Sequence, residues 1–526
     1  MKWLHRFLIL FVTVGACIYF VLSNNNEVDK KPRKTEPFVI PRTENPSKQE
    51  FLIPKAPYSK TLFDKNVIQG EFVIHFADRN SYLEYLEALS AAGLASLGKI
   101  DPLLSIRVSE GVFLKMDPAP YGGETRLSYR IERPLPPAEI NPELLAQLQA
   151  FGESARTIVG GMVDGDGSGI LVGILDSGIE DHPYFDDVNI DSMDFTEKGI
   201  SSIGAGHGTA VASIIAGREG VAPAADLLII RVLDDQGVGS SFDLAAGIVH
   251  AVDLGAQIIN LSLGVYQNTR ELQEAVRYAQ TQDVILVAAA GNDGYGQLPY
   301  PAGYPQVLSV TAVDGSGRQA LFPNQSESID FAAPGVGIFV AAEEAGAQLF
   351  SGTSAAAPFV SGTLAALLSA DSTLSPQGAI DLVSEHLDEA GAAGPDPTYG
   401  NGLLNWDRLR ERTTTDVNDI ALAEIYLQPD AQPGTMMPVE VTVQNRGTSW
   451  ITAGELVVLV GDSVSVEFVV GALAPGQTTS RKIHTQVPAM HSDETLKIAA
   501  RVLSESDLVD VRPDNNIKAV YFSPSH

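Results

Sequence analysis

The chain is poor in cysteine, in positive charge and in aromatic side chains. Its 526 residues hold one cysteine, Cys17, inside an N-terminal apolar run, so the remainder can form no disulfide. Stability must then come from packing or bound ions, even in an oxidising compartment. Lysine and arginine number 35 against 65 aspartates and glutamates, a formal net charge of −30. Nothing in that balance would neutralise phosphates, which argues against a nucleic-acid partner. The acidity fits a soluble protein working outside the cell. Aromatic residues are 7%, charged residues 19% and hydrophobic ones 44%, ordinary for a globular enzyme with room for two or three domains. Long apolar runs are also scarce. The one at the start, Phe7 to Leu22, follows Lys2 and Arg6 and precedes Ser23 and three asparagines. Its length lies between a signal-peptide core and a spanning helix, so residues 1–23 read as a cleaved signal or an uncleaved anchor. Either implies export.

From Asn24 to about Lys65 the chain is polar, charged and proline-bearing, the composition of a linker. A small α+β unit is expected over 66–118. In it Glu71 to Phe76 reads as a strand, and Ser81 with Glu84 forms a capping box for a helix turning Leu83, Leu86 and Leu89 inward. Leu103 to Val108 returns as a second strand. Pro118, Pro120, Pro134, Pro136 and Pro137 mark irregular connections across 119–150, and a helix from about Pro142 to Ala155 leads into the main domain, 151–412.

That domain alternates strand and helix. Apolar strands are expected at Ile170–Leu175, Leu227–Leu233, Gln257–Leu263, Val284–Ala290 and Val307–Val313, with helices at Phe242–Leu254 and Thr269–Gln280 between them. Continuous apolar strands separated by helices predict an α/β fold, a parallel sheet covered by helices on both faces. Chemistry in such sheets gathers at the carboxyl ends of the strands, where Asp176 and Asn292 stand.

The sharpest feature is Phe350 to Gly362, in which a glycine-flanked turn delivers Ser354 to the start of an almost wholly apolar helix running to about Ser369. A helix apolar all round is buried. A serine at its N-terminus is held rigidly, and the helix dipole favours negative charge there; a plain helix cap would use the same residue types. The run Gly204-Ala205-Gly206-His207-Gly208-Thr209 hints at a phosphate loop, but its glycines miss the dinucleotide spacing and no lysine follows. Asp176 alone would equally suit a ribose or a metal. Taken in order, aspartate, histidine, asparagine and serine supply the parts of acyl transfer: an orienting carboxylate, a base, an oxyanion donor and a nucleophile.

The segments Ile174-Leu175-Asp176-Ser177-Gly178, Gly206-His207-Gly208-Thr209, Ala289-Ala290-Gly291-Asn292 and Gly352-Thr353-Ser354 resemble the signature blocks of subtilisin-like serine proteases, peptidase family S8. The resemblance spans about Val163 to Arg412. It implies a subtilisin-like sheet and a serine endopeptidase forming an acyl-enzyme on Ser354. His207 would be general base, Asp176 its orienting carboxylate and Asn292 the oxyanion donor. It implies that peptide substrates bind as an added strand between Gly237-Val238-Gly239 and Ser262-Leu263-Gly264. Ala289 to Gly291 would line the primary side-chain pocket, with Pro299 and Tyr300 near its floor. No carboxylate is evident there to demand a basic residue, so an apolar or broad preference is expected. Catalysis should need no cofactor. Only Gly217-Arg218-Glu219-Gly220 separates Ala216 from Val221, where many members carry a calcium loop, so that site should be missing; other structural calcium stays open. Ala355 stands where methionine is common.

The small N-terminal unit resembles the chaperone-inhibitor propeptides of these proteases. That implies self-cleavage between about Ala119 and Val163, with the unit as a transient inhibitor, and loss of any membrane anchor. The tail, 416–526, alternates apolar and polar residues around Val439, Val441 and Val443 and again around Leu496, Ile498, Ala500 and Val502, with turns at Pro433-Gly434, Asn445-Arg446-Gly447 and Pro475-Gly476. About seven short strands predict a β-sandwich, and Arg512-Pro513-Asp514-Asn515-Asn516 is similar to CARDB-type immunoglobulin-like domains. The alternative to an exported endopeptidase is a surface-binding protein whose protease domain is silent.

Overall fold

The computed structural model describes residues 65–134, 158–196, 205–342, 345–428, 434–461, 464–487, 496–505 and 509–522. The N-terminal apolar run, nearly all of the linker and the helix expected near Pro142–Ala155 lie outside these.

The centre is a parallel sheet whose strands are β5 (Leu171–Asp176), β6 (Ile190–Asp194), β7 (Asp226–Arg231), β9 (Ile258–Leu261), β10 (Ile285–Ala289), β11 (Val307–Val313) and β12 (Phe331–Pro334), in the order β12-β11-β10-β9-β5-β7-β6. Successive side chains of a strand point to opposite faces. In β7, Leu227 and Ile229 therefore enter one core and Leu228 and Ile230 the other. The first core is closed by helices α2 (Gly206–Ile215) and α5 (Thr353–Ala370), the second by α3 (Ser241–Asp253) and α4 (Arg270–Thr281). Strand order reverses beside β5, which pairs with β7 on one side and β9 on the other. The crevice at that reversal is where such sheets place ligands. The edge strands β6 and β12 were not expected from sequence. One is polar and half exposed, and the other has four residues ending in proline.

The N-terminal unit is antiparallel: β1 (Val67–His75), β2 (Gly98–Ile100), β3 (Ser105–Ser109) and β4 (Glu124–Glu132), with α1 (Arg79–Ala91) on one face. Two expectations are corrected. The helix is capped by Asp78, whose carboxylate accepts from the backbone N–H groups of Asn80 and Ser81 at 3.0 Å each, so it begins before Ser81. That turns Tyr82, Tyr85 and Leu89 inward and leaves Leu83 41% exposed. The unit also runs past residue 118. β4 pairs with β1 within the supposed connector, and its other edge pairs with a catalytic-domain strand, β8 (Val238–Ser240). β4 carries so few apolar residues on its exposed face that its period-2 signal is weak. The sheet's free face lies on α3 and α4: Val73 and Ile131 join the second core, and Arg107 reaches Asp243 at 2.8 Å.

The C-terminal region is a β-sandwich. Seven strands are found among the described residues: β13 (Ile420–Leu427), β14 (Met436–Asn445) and β17 (Thr478–Gln486) in one sheet, and β15 (Gly454–Val460), β16 (Val464–Val470), β18 (Leu496–Ser504) and β19 (Ile517–Phe522) in the other. Val439, Val441, Val443, Ile498, Ala500 and Val502 fill its core. The Arg512 to Asn516 run ties the sandwich to the catalytic domain. Arg512 binds Asp419 at 2.8 Å and Glu411 at 2.5 Å, and Asn515 donates to Asp419. At the same junction the Glu389 backbone N–H donates to Gln444, and the Glu389 carboxylate accepts from Gly394.

Burial pushes the Glu389 carboxyl up to about 7, from an ordinary value of 4.5. A carboxyl that binds its proton more tightly when folded contributes stability below its unfolded pKa, and that contribution is lost as pH rises through the folded value. The variant Glu389→Gln is therefore expected to escape the wild-type loss between about pH 4.5 and 7. Melting curves across that range check this: the variant should gain relative to wild type as pH rises, and parallel curves would contradict it.

Candidate active site

Asp176 ends β5 at zero exposure, and His207 occupies the first turn of α2. The imidazole Nδ1 lies 2.8 Å from Asp176 Oδ1 and 3.0 Å from Oδ2, while Oδ1 also accepts from the Ser177 backbone N–H at 2.7 Å. This approach needs α2 pressed onto the loop after β5. A Cβ at Gly208 would lie 2.1 Å from the Gly178 carbonyl oxygen, so no side chain fits there. The carboxylate fixes the tautomer with the proton on Nδ1. His207 Nε2 is buried, makes no hydrogen bond, and is left free to accept a proton. Phe350 sets its ring edgewise to the imidazole, centroids 5.3 Å apart at 79°.

Ser354 is the second residue of α5 and is 2% exposed. Gly352, with φ 145°, turns the chain into the helix; a Cβ there would stand 3.0 Å from Asn292 Nδ2. Neither Thr353 nor Ser354 acts as the cap residue. Thr353 instead donates through its backbone N–H and its hydroxyl to Asn292 Oδ1, both at 2.9 Å. Those two donors fix which end of the Asn292 amide is oxygen, and so turn Nδ2 toward Gly352. An anion formed beside Ser354 would meet an amide donor and the positive end of a helix.

Pro358 sits inside α5. It lacks the N–H that would bond the Ser354 carbonyl four residues back. That carbonyl accepts instead from Ser262 Oγ at 3.1 Å, and Ser262 Oγ in turn accepts from Asn260 Nδ2 at 3.0 Å. Asn260 Oδ1 accepts from Ser361 Oγ at 2.9 Å. This buried chain pins the serine turn to β9. Asn260 and Ser361 were not singled out from sequence, because each is a lone polar residue in an apolar segment. Their signal is that placement: a buried amide or hydroxyl needs partners. Ser354 Oγ itself makes a long contact, 3.4 Å, to the Ser262 carbonyl.

Two backbone segments flank a cleft beside this serine, and β4 lies between them. On one side Ile131 pairs with Gly239 and Glu132 with Val238, and the Arg133 N–H donates to the Gly237 carbonyl at 3.1 Å. On the other, Glu132 and Gly264 exchange hydrogen bonds of 3.3 and 3.2 Å. Gly237, Gly239 and Gly264 thus hold an extended strand. Leu263 is packed into the core, and Ser262 is buried behind the serine. Pro134, Gly264, Gly291, Asp293, Tyr266, Tyr295 and Pro299 line the cleft at the end of that strand. Ala289, at the end of β10, belongs to the first core. One correction follows. A carboxylate is present, Asp293, and it accepts from the Tyr266 hydroxyl at 2.6 Å.

A buried aspartate–histidine pair, a serine at a buried helix N-terminus and an amide beside it, at the strand reversal of a parallel sheet, define a serine hydrolase of the α/β class. A model of the subtilase family, Peptidase_S8, matches residues 167–402, and a CARDB model matches 418–520. The thermophilic serine proteinase of Bacillus sp. (strain AK1) is 33% identical over 316 residues, 57% of this chain and 78% of the relative. Subtilisin Savinase of Lederbergia lenta is 37% identical over 248 residues, 45% of this chain and 90% of the relative. The solved structure of the prenylagaramide maturation protease PagA aligns with 50% of this chain and 97% of its own at 31% identity, with a TM-score of 0.42. The chain belongs to the subtilase family and is a subtilisin-like serine endopeptidase.

The Asn260 bridge gives a test. Asn260→Leu leaves the Ser262 and Ser361 hydroxyls buried without their amide partner, and is expected to cost about 2 kcal/mol of unfolding free energy. Denaturant melts measure it; an unchanged midpoint would show that the bridge contributes nothing.

Proposed function

We propose that Ser354 is the nucleophile of an exported endopeptidase, with His207 as general base and then acid, Asp176 as its orienting carboxylate, and Asn292 Nδ2 with the Ser354 N–H as the oxyanion donors. The observation that carries this is the joint geometry of His207 and Asn292: one ring nitrogen is bound to Asp176 and the other is free, while the amide is aimed by Thr353. Ser354 Oγ would attack a substrate carbonyl, its proton passing to His207 Nε2 and then to the leaving amine. Water would repeat the sequence to release the acid. No cofactor enters these steps. Substrate would bind as an added strand where β4 now lies, with Ile131 marking a buried aliphatic position. Because β4 fills that site, the N-terminal unit is read as an inhibitory propeptide, removed by self-cleavage. The N-terminal apolar run would serve export, as signal or anchor, placing the protein outside the cell or in its envelope. The CARDB region would serve as a binding or spacing module.

A fluorophosphonate probe is expected to label wild type and not Ser354→Ala. Asn292→Leu should lower kcat about 100- to 1000-fold with KM little changed, the usual effect of losing one oxyanion donor. Wild type and Ser354→Ala expressed side by side should differ in N-terminus. Equal labelling of both proteins would refute the nucleophile assignment, and identical unprocessed products would refute self-cleavage.

A further inference from the structure

We propose that the outward face of the four-stranded sheet in the sandwich pairs with a second copy of this chain, about a two-fold axis along β15. The pleat defines that face. Leu456, Val458 and Val460 of β15 enter the sandwich core, so Glu455, Val457 and Leu459 point away from it. The same alternation turns Glu467 and Val469 of β16 outward, and Arg501 and Leu503 of β18. The solvated face of a sheet is normally polar. Here Val469 is 76% exposed, Leu459 44% and Leu503 42%.

The charges on this face are placed to be met from outside. Val457 stands opposite Glu467 on one side and Arg501 on the other. The two charges are thus two strand spacings apart, about 10 Å, too far to pair within the chain. Both are exposed, and neither pairs with another described residue. The three-stranded sheet does the opposite: Glu440 and Lys482 face each other directly and pair at 3.5 Å.

Half a turn about β15 exchanges the places of β16 and β18. Each Glu467 then meets the other copy's Arg501, and Val457 and Leu459 meet their own counterparts on the axis. Glu455 stands opposite both Val469 and Leu503, so those two apolar side chains also meet across the interface. The two Glu455 carboxylates face each other only at the end of β15, at the rim. An axis between β15 and β18 would instead set Arg501 against Val457 and leave both charges unpaired. Face-to-face packing of aligned sheets is a common arrangement, and such an isologous contact closes as a dimer. Three overlapping strands and about four outward rows give about 350 Å² of flat sheet per copy, against about 800 Å² in a standard interface. The dimer is therefore a weak, reversible one.

The test uses the full chain carrying Ser354→Ala, so that it does not digest itself, followed by sedimentation velocity. This parent is expected to pass from monomer toward dimer between about 1 and 100 μM. Adding Leu459→Glu sets two carboxylates against each other on the axis and should leave a monomer. Glu467→Arg and Arg501→Glu should each weaken self-association about tenfold, because each brings like charges together twice. Mixed in equal amounts, these two variants should pair as well as the parent, since each carries the charge the other lacks. All three substitutions are at exposed positions, and melting temperatures should match the parent. A parent that stays monomeric throughout, or a dimer indifferent to Leu459→Glu, would overturn the proposal. So would charge-reversed variants that fail to pair when mixed.

Discussion

The contact on which the site depends is the one between the end of β5 and the start of α2. Asp176 and His207 hydrogen-bond at 2.8 Å because the Gly178 carbonyl lies where a Gly208 side chain would be. The pairing is therefore decided by backbone packing, before any side chain chooses a rotamer. It also fixes the place: β5 is the strand about which the sheet reverses, so the carboxylate enters the crevice that the topology opens.

The serine is held by a different device. α5 is buried along its length, which anchors its axis, and its first turn is held by Asn292 through Thr353 and by a further bond that Pro358 makes available. By removing one helical hydrogen bond, the proline exposes the Ser354 carbonyl to Ser262, and so couples the serine's turn to the same segment that borders β4. Ser262 then touches Ser354 twice, through its hydroxyl and through its carbonyl. Displacing the strand bearing Ser262 would move the serine turn with it.

Much of this was legible in the sequence, for physical reasons. Five of the seven central strands are apolar on both faces and so announce a covered parallel sheet, and the residues at Asp176, His207, Asn292 and Ser354 stand in short glycine- and alanine-rich blocks that have few other uses. What was not legible depends on partners distant in sequence. Asp78 and Ser81 are equally good caps locally, and the tertiary demand to bury Tyr82 and Tyr85 selects the earlier one. β4 has too weak an alternation to be read as a strand until β1 and β8 flank it. Asn260 looks like an interruption in β9 until Ser361 and Ser262 are seen on either side.

The two domain junctions share a character that bears on function. Under the N-terminal unit, Arg107 pairs with Asp243 and lies over the Phe242 ring, and His75 stands 3.6 Å from the buried Glu271. Beside the sandwich, Arg512 joins Glu411 to Asp419. Buried ion pairs add little net stability compared with apolar residues of the same volume, but misplacing one partner is strongly unfavourable. Such pairs fix register more than they add adhesion. For the N-terminal unit, register is what matters: a shift of one residue would break the paired bonds of Glu132 with Gly264 and the bond of Arg133 to Gly237.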